Sequence, residues 1–356
     1  MSASLNWIPE EQNSPWALDR VAAKSALYDR VRALATLQVF LAVVVPVVVT
    51  VLAVPFPALT SWGGLYGIAM AFAEPFGLER LQRGFRELAA KVQEEFDCHL
   101  FQLEWREGRV GPRPRPEDVQ EWAKRHLSRA TPADRGRREA MLRDWYPAAV
   151  GRLPLAAARL VCQRANGVWD SRMRVRYAGK LLALLLTAAA VVVIAGLATD
   201  AKLGEWAVRA AMLAPLFGWA IREYLAQQAA GEDRQRVQER ADAIWKHALK
   251  TTPDDLQLTQ DARELQNDLY DQRMKSPAVF HWVYERFRDE DEAAMQCGAE
   301  ALVAEYERAH GLSAGGAVPT HGADRIGEGL TPVPGALPRL SPSVAKKVLG
   351  PLGVNK

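Results

Sequence analysis

The chain has 356 residues, of which 49% are hydrophobic and 24% charged, and a formal net charge of +3. Those averages resemble a soluble protein, but the apolar residues gather in two uncharged 18-residue runs, 39–56 and 181–198, each long enough as helix to cross roughly 30 Å of hydrocarbon, which argues against a purely soluble chain. Three cysteines (Cys98, Cys162, Cys297) exclude a disulfide framework, and no Cys-x-x-Cys or Cys/His cluster has zinc spacing.

In chain order, residues 1–32 form a charged, polar segment with no secretory signal, expected on the cytoplasmic side. Residues 33–77 read as a first transmembrane hairpin. Its strong arm, 34–56, carries Pro46 and Gln38 but no charge, and Pro55-Phe56-Pro57 ends it. Its weak arm, 58–76, contains Trp62, Gly63, Gly64, Tyr66, Gly67 and Glu74. Residues 78–179 read as a cytoplasmic helical segment. Leu78, Leu81, Phe85, Leu88, Val92 and Phe96 recur at helical spacing and continue the second span into the cytoplasm. Gly111-Pro112-Arg113-Pro114-Arg115-Pro116 is a stiff loop, 117–127 is helical, and Thr131-Pro132-Ala133-Asp134 starts another helix. The proline-free stretch from Leu155 predicts a helix running directly into the third span.

Residues 180–225 read as a second hairpin. The ten Leu, Ile and Val residues of 181–198, at roughly −0.3 to −0.6 kcal/mol each, favour insertion by about 3–6 kcal/mol. Its weak arm, 206–225, holds Arg209, Pro215, Trp219, Arg222 and Glu223. A central charge costs roughly 2.5–3.5 kcal/mol by insertion scales, so both weak arms need the shelter of their partners. Residues 226–311 read as a second cytoplasmic helical segment packing on 78–179, with helix starts at Thr252-Pro253-Asp254-Asp255 and Ser276-Pro277. Residues 312–356, rich in Gly, Pro and Ser, read as a disordered tail.

The fold expected is therefore all-α: a polytopic membrane protein of two helical hairpins, four spans in all, with a helical cytoplasmic domain. Lys and Arg crowd one side of the spans, while the short loops of the other side carry only Lys202, which predicts cytoplasmic termini and a cytoplasmic middle segment. Gly63, Gly67 and Ala71 sit four apart, as do Ala210, Ala214 and Gly218; such ladders serve close packing within the chain or between subunits. Pro46 and Pro215 supply bends. Glu74, Arg209 and Arg222 lie toward span ends, where snorkelling or a pore lining would place them. Residues 78–179 hold 21 Lys/Arg and 14 Asp/Glu, a surplus of +7, whereas 226–311 hold 11 and 18, a surplus of −7. Opposite surpluses favour mutual packing; the basic one could also meet anionic lipid or an anionic ligand.

No catalytic constellation stands out: there is no Gly-x-Ser-x-Gly, Walker A loop, dinucleotide-binding glycine pattern or His-Glu-x-x-His, and no enzyme activity, metal or cofactor is expected. The acidic run Asp289-Glu290-Asp291-Glu292 reads as a solvated helix face. The densest polar and aromatic cluster supplies the candidate ligand residues Gln163, Arg164, Asn166, Trp169, Arg172 and Arg176. Arginine forks bind phosphate, aromatic faces stack on bases, and amides read base edges. The same residues can instead form a structural network joining their helix to the acidic C-terminal segment. For the spans, the candidate pore or packing residues are Pro46, Gly63, Gly67, Glu74, Ala210, Ala214 and Gly218.

Short motifs through most of the chain also carry a family likeness: Glu11-Gln12-Asn13, Phe96-Asp97-Cys98-His99, Asp144-Trp145-Tyr146-Pro147, Cys162-Gln163-Arg164 with Asn166, Trp169-Asp170, Leu265-Gln266-Asn267 with Arg273, and Trp282-Val283-Tyr284. With two membrane hairpins, the chain resembles the SMODS-associated four-transmembrane family, pore-forming effectors of bacterial cyclic-oligonucleotide anti-phage signalling. The resemblance covers roughly residues 5–295. It implies an inner-membrane effector that forms homo-oligomers, binds a cyclic oligonucleotide made by an associated nucleotidyltransferase rather than DNA or RNA, and permeabilises the bilayer. The competing expectation is a membrane-anchored receptor that recruits a cytoplasmic partner without a pore.

Overall fold

A computed structural model describes residues 4–128, 131–198, 203–253, 255–278 and 281–312, without the side chains of 132, 167–173, 175–176, 195–198, 203, 205 and 281–292. All of these fall within one compact unit, residues 1–314. The predicted tail lies outside the described residues, Leu312 excepted.

After a single turn, α1 (Ile8–Glu11), the Ser14 hydroxyl accepts from the Ala17 amide and Pro15 presets the first turn of α2 (Pro15–Val39). This helix does not stop at the cytoplasmic edge of the first predicted span. It passes through a π-turn, Phe40–Val44, into α3 (Val45–Leu52), giving one rod of 38 residues. Pro46 explains the π-turn. It has no N–H for the carbonyl four residues back, so the ladder widens and the Val45 amide bonds the Phe40 carbonyl. The Leu41 carbonyl is thereby left without a helical donor, and the Tyr66 hydroxyl donates to it at 2.6 Å.

Tyr66 belongs to α4 (Leu59–Ala73), which continues through a second π-turn, Glu74–Leu78, containing Pro75, into α5 (Glu79–Phe101). α5 ends at Gln102 in the left-handed conformation. Short helices α6 (Glu107–Val110), α7 (Pro116–Ser128) and α8 (Pro132–Ala140) follow, α8 capped by the Thr131 hydroxyl. A 3₁₀ turn, Ala148–Arg152, leads into the 44-residue α9 (Leu155–Ala198). Then come α10 (Leu203–Met212), α11 (Ala214–Ala248), α12 (Leu256–Lys275), capped by Asp255, and α13 (His281–Ala309).

Among the described residues two helices are long and apolar enough to cross a membrane, within Pro15–Leu52 and Tyr177–Ile194. The other two predicted spans do not qualify on that measure. α4 has 15 residues, and the stretch 206–225 is broken at Leu213, where Pro215 opens α11 instead of bending a continuous helix. All four stretches nonetheless expose large apolar side chains: Phe40, Val48 and Val51; Trp62, Ile68 and Phe72; Leu186, Val191 and Ile194; Val208, Ile221 and Leu225. Among the other described residues most buried apolar side chains share one core, with a small separate cluster of Ala90, Val110 and Tyr270. Ile8 and Leu27, Phe96 and Phe101, Val161, Leu265 and Leu269, and Tyr306 meet in the shared core from α1, α2, α5, α9, α12 and α13. The charge surpluses of residues 78–179 and 226–311 meet as ion pairs, Arg106–Glu264, Arg109–Asp271, Arg152–Glu300 and Arg164–Asp242.

Candidate functional site

Two polar clusters organise the molecule. The first is a knot inside the core. Glu94 and Asp97 lie one turn apart on α5 and both are fully buried. Arg263 of α12 donates to Glu94 at 2.7 Å, Arg273 donates to Asp97 at 2.6 Å, and the Gln266 amide donates to both carboxylates, at 2.8 and 3.0 Å. The Tyr146 hydroxyl donates to the other Asp97 oxygen at 2.7 Å and accepts from the Asn166 amide at 2.8 Å. Gln12 closes the group by a reciprocal pair with the Tyr146 backbone. Two buried carboxylates answered by two guanidinium groups satisfy the condition under which charge can be buried at all.

The knot sets the protonation of its neighbours. Burial pushes the Tyr146 hydroxyl well above its ordinary pKa, and Asp97 adds to the shift. Burial would lower Arg273, but Asp97 and Glu94 hold it above its usual value. Lys24, buried with its ammonium 3.1 Å from the Trp145 ring centre, is lowered to about 7 by burial, which the Asp97 attraction only partly offsets. Cys98 and Cys162 are buried thiols raised by desolvation, which suits packing and not nucleophilic chemistry.

The second cluster lies where the apolar helices enter the core. Glu74, in the second π-turn, is 3% exposed. It accepts from the Gln38 amide of α2 at 2.7 Å and pairs with Arg222 of α11 at 2.5 Å. Gln82 of α5 donates to Gln38 at 2.7 Å, and Arg222 also stands 3.8 Å from Glu79. A cavity of about 170 Å³ opens beside this chain. Its walls bring Arg83, Arg86, Arg222 and Lys275 toward Glu74, Glu79 and Glu223.

Of the predicted ligand residues, Gln163 is buried and donates to the Ala262 carbonyl and Gln266, Arg164 pairs with Asp242, and Asn166 joins the knot. The side chains of Trp169, Arg172 and Arg176 lie outside the described residues. Of the span residues, Pro46 is buried behind the first π-turn. Gly63 and Gly67 face α10 and the start of α11: a Cβ on Gly63 would stand 2.2 Å from Met212 Cε, and one on Gly67 4.0 Å from Pro215. Ala210 is half-buried and Ala214 exposed, while a Cβ on Gly218 would meet Arg222 at 3.2 Å. Glu74 neither snorkels nor stands free; it is the centre of the junction. Sequence reasoning missed Gln38, Gln82, Arg83, Arg86 and Lys275 as a group, since they come from three helices.

The knot draws together Gln12, Asp97, Tyr146 and Asn166, each from a different one of the family-like motifs, with Gln266 and Arg273 from a fifth. A helical core tied in this way to helices long and apolar enough to cross a bilayer defines a helical membrane protein. Residues 6–302 match the SMODS-associating 4TM effector domain, and the chain belongs to that family. It is also 28% identical over 94 residues to a Bacillus cereus protein named a probable CBASS effector molecule; the match covers 26% of this chain and 28% of that protein's length. No solved structure matches.

Proposed function

We propose that this chain is a membrane effector of CBASS, the bacterial anti-phage defence triggered by cyclic oligonucleotides. It crosses the inner membrane four times as two hairpins with both termini in the cytoplasm. A cyclic oligonucleotide from an associated nucleotidyltransferase binds its cytoplasmic helices, and homo-oligomers then permeabilise the bilayer. Family membership and the likeness to a probable CBASS effector support the defence role. Large apolar side chains exposed on all four stretches support four spans, since lipid would cover surface that water disfavours.

The observation that carries the pore reading is mechanical. The first and second stretches join helices α2 and α5 through π-turns, the third is continuous with the rest of α9, and the part of the fourth after its break at Leu213 continues along α11. All but α9 contribute a side chain to the Gln82–Gln38–Glu74–Arg222 chain. A ligand that shifts those helices therefore acts on the contact between hairpins. Trp169, Arg172 and Arg176 remain the ligand candidates of α9, while Gln163, Arg164 and Asn166 hold the fold.

Liposomes carrying the full chain and an entrapped dye test the reading. Leakage on adding a cyclic oligonucleotide is expected; no leakage with any such ligand, at densities where oligomers form, overturns it. An anchored recruiter would behave differently on deletion of residues 312–356: a pore former keeps its toxicity, whereas a recruiter using the tail loses it.

A further inference from the structure

We propose that the cavity beside Glu74 and Arg222 is a binding site for a phosphodiester anion at the cytoplasmic edge of the bilayer. The placement at that edge rests on the membrane orientation proposed above. Within this one cavity Arg222 is already engaged by Glu74 and Glu79. Arg83, Arg86 and Lys275 have no hydrogen-bond or ion-pair partner among the described residues, and Arg86 Nε is a buried donor left unsatisfied. Glu223, which accepts from Gln227 at 2.8 Å, is the remaining carboxylate. Over the whole lining, four cations against three carboxylates leave a surplus of one positive charge in a partly enclosed space, and the three cations that hold no ion pair are free to turn to an anion that enters.

The shape narrows the anion. A single water needs about 10–15 Å³ and drug-sized pockets run from about 300 Å³ upward. At about 170 Å³ the cavity takes a phosphate group with its flanking carbons and excludes a whole cyclic oligonucleotide. Two guanidinium forks and an ammonium match phosphate oxygens, and basic pockets between membrane helices on the cytoplasmic side hold anionic headgroups. Two sources share this chemistry: the headgroup of an anionic lipid, and one phosphodiester of a soluble cyclic oligonucleotide.

The test uses the full chain in detergent. Native mass spectrometry reads retained phosphatidylglycerol, and equilibrium dialysis reads labelled cyclic di- and tri-adenylate. Arg83 and Lys275 are exposed, so the double variant Arg83→Gln/Lys275→Gln is expected to fold, which its melting curve checks. It should weaken binding about tenfold or more, two charge-assisted contacts being lost. Arg80→Gln, an exposed charge on the same helix outside the cavity, should leave binding unchanged. Retained lipid that a nucleotide does not displace identifies the lipid source; displacement identifies the soluble one. No saturable binding of either probe, or equal loss in Arg80→Gln, overturns the site. Binding without dye leakage would instead sink the pore reading and leave the site standing, and leakage without binding would do the reverse.

Discussion

Tyr146 and Lys24 show how the buried knot constrains single residues. Tyr146 donates to Asp97 and accepts from Asn166. Tyr146→Phe keeps the ring's packing against Phe96 and Phe101 but leaves both partners short of a bond in the core. A loss of about 1–3 kcal/mol is expected, measured as a lower midpoint of unfolding in detergent. An unchanged midpoint would mean that water replaces the hydroxyl and that the knot is not dry. Lys24 makes a pH prediction. Its folded pKa is about 7, while the unfolded chain holds the proton to about 10.4. Between those values the unfolded state binds more protons, so stability rises with pH across that window, and below pH 7 the desolvation penalty stands in full. Lys24→Met should stabilise the protein at pH 6 and flatten the rise toward pH 10. A variant whose melting temperature tracks wild type at both ends refutes the assignment.

At the scale of elements, close packing between α4 and α10 is concentrated at Gly63. Met212 Cε is the free end of a flexible chain and can swing away from a single added methyl. Gly63→Ala should therefore be nearly neutral. Gly63→Leu overfills the contact of α4 with α10, at a cost of about 1–3 kcal/mol, and Met212→Ala should restore part of it. Thermal unfolding of the four proteins reads the coupling; an additive double variant would show that the two residues do not share the space. The spans and caps behind this packing were legible because their signals are local. Hydropathy marked the residues 39–56 and 181–198, and Thr131 and Asp255 announced α8 and α12. Ser14-Pro15 is an equally good start signal for α2, but the residues after it have no clear apolar stripe and pass straight into the span, so the 38-residue rod did not show. The broken fourth stretch was legible only as a proline. Whether Pro215 kinks or begins a helix depends on the turn at Leu213, which tertiary packing decides.

For the whole molecule, what stayed hidden are the two polar clusters, because their members lie far apart in the chain. Glu74 and Arg222 are separated by the entire middle segment, and each alone reads as a snorkelling end-of-span charge. Joined, they tie α11 to the second π-turn, and their unequal exposure makes the tie testable. Glu74 is buried, whereas the Arg222 side chain is 51% exposed and can turn to headgroups or water. Removing the arginine strands a buried carboxylate; removing the carboxylate releases an arginine that has somewhere to go. Arg222→Gln should thus disturb the junction more than Glu74→Gln, and Glu74→Gln/Arg222→Gln no more than Arg222→Gln alone, since the double variant leaves no charge uncompensated. If the pair holds the hairpins in a closed arrangement, the same order applies to ligand-free dye leakage from liposomes: lowest in wild type, higher in Glu74→Gln, highest in Arg222→Gln. Leakage equal to wild type in all three variants, with oligomers present, would show that the ion pair serves the fold and not the closed state. The full order, together with a double variant no leakier than Arg222→Gln, would place the barrier to permeation at the contact between α11 and the second π-turn.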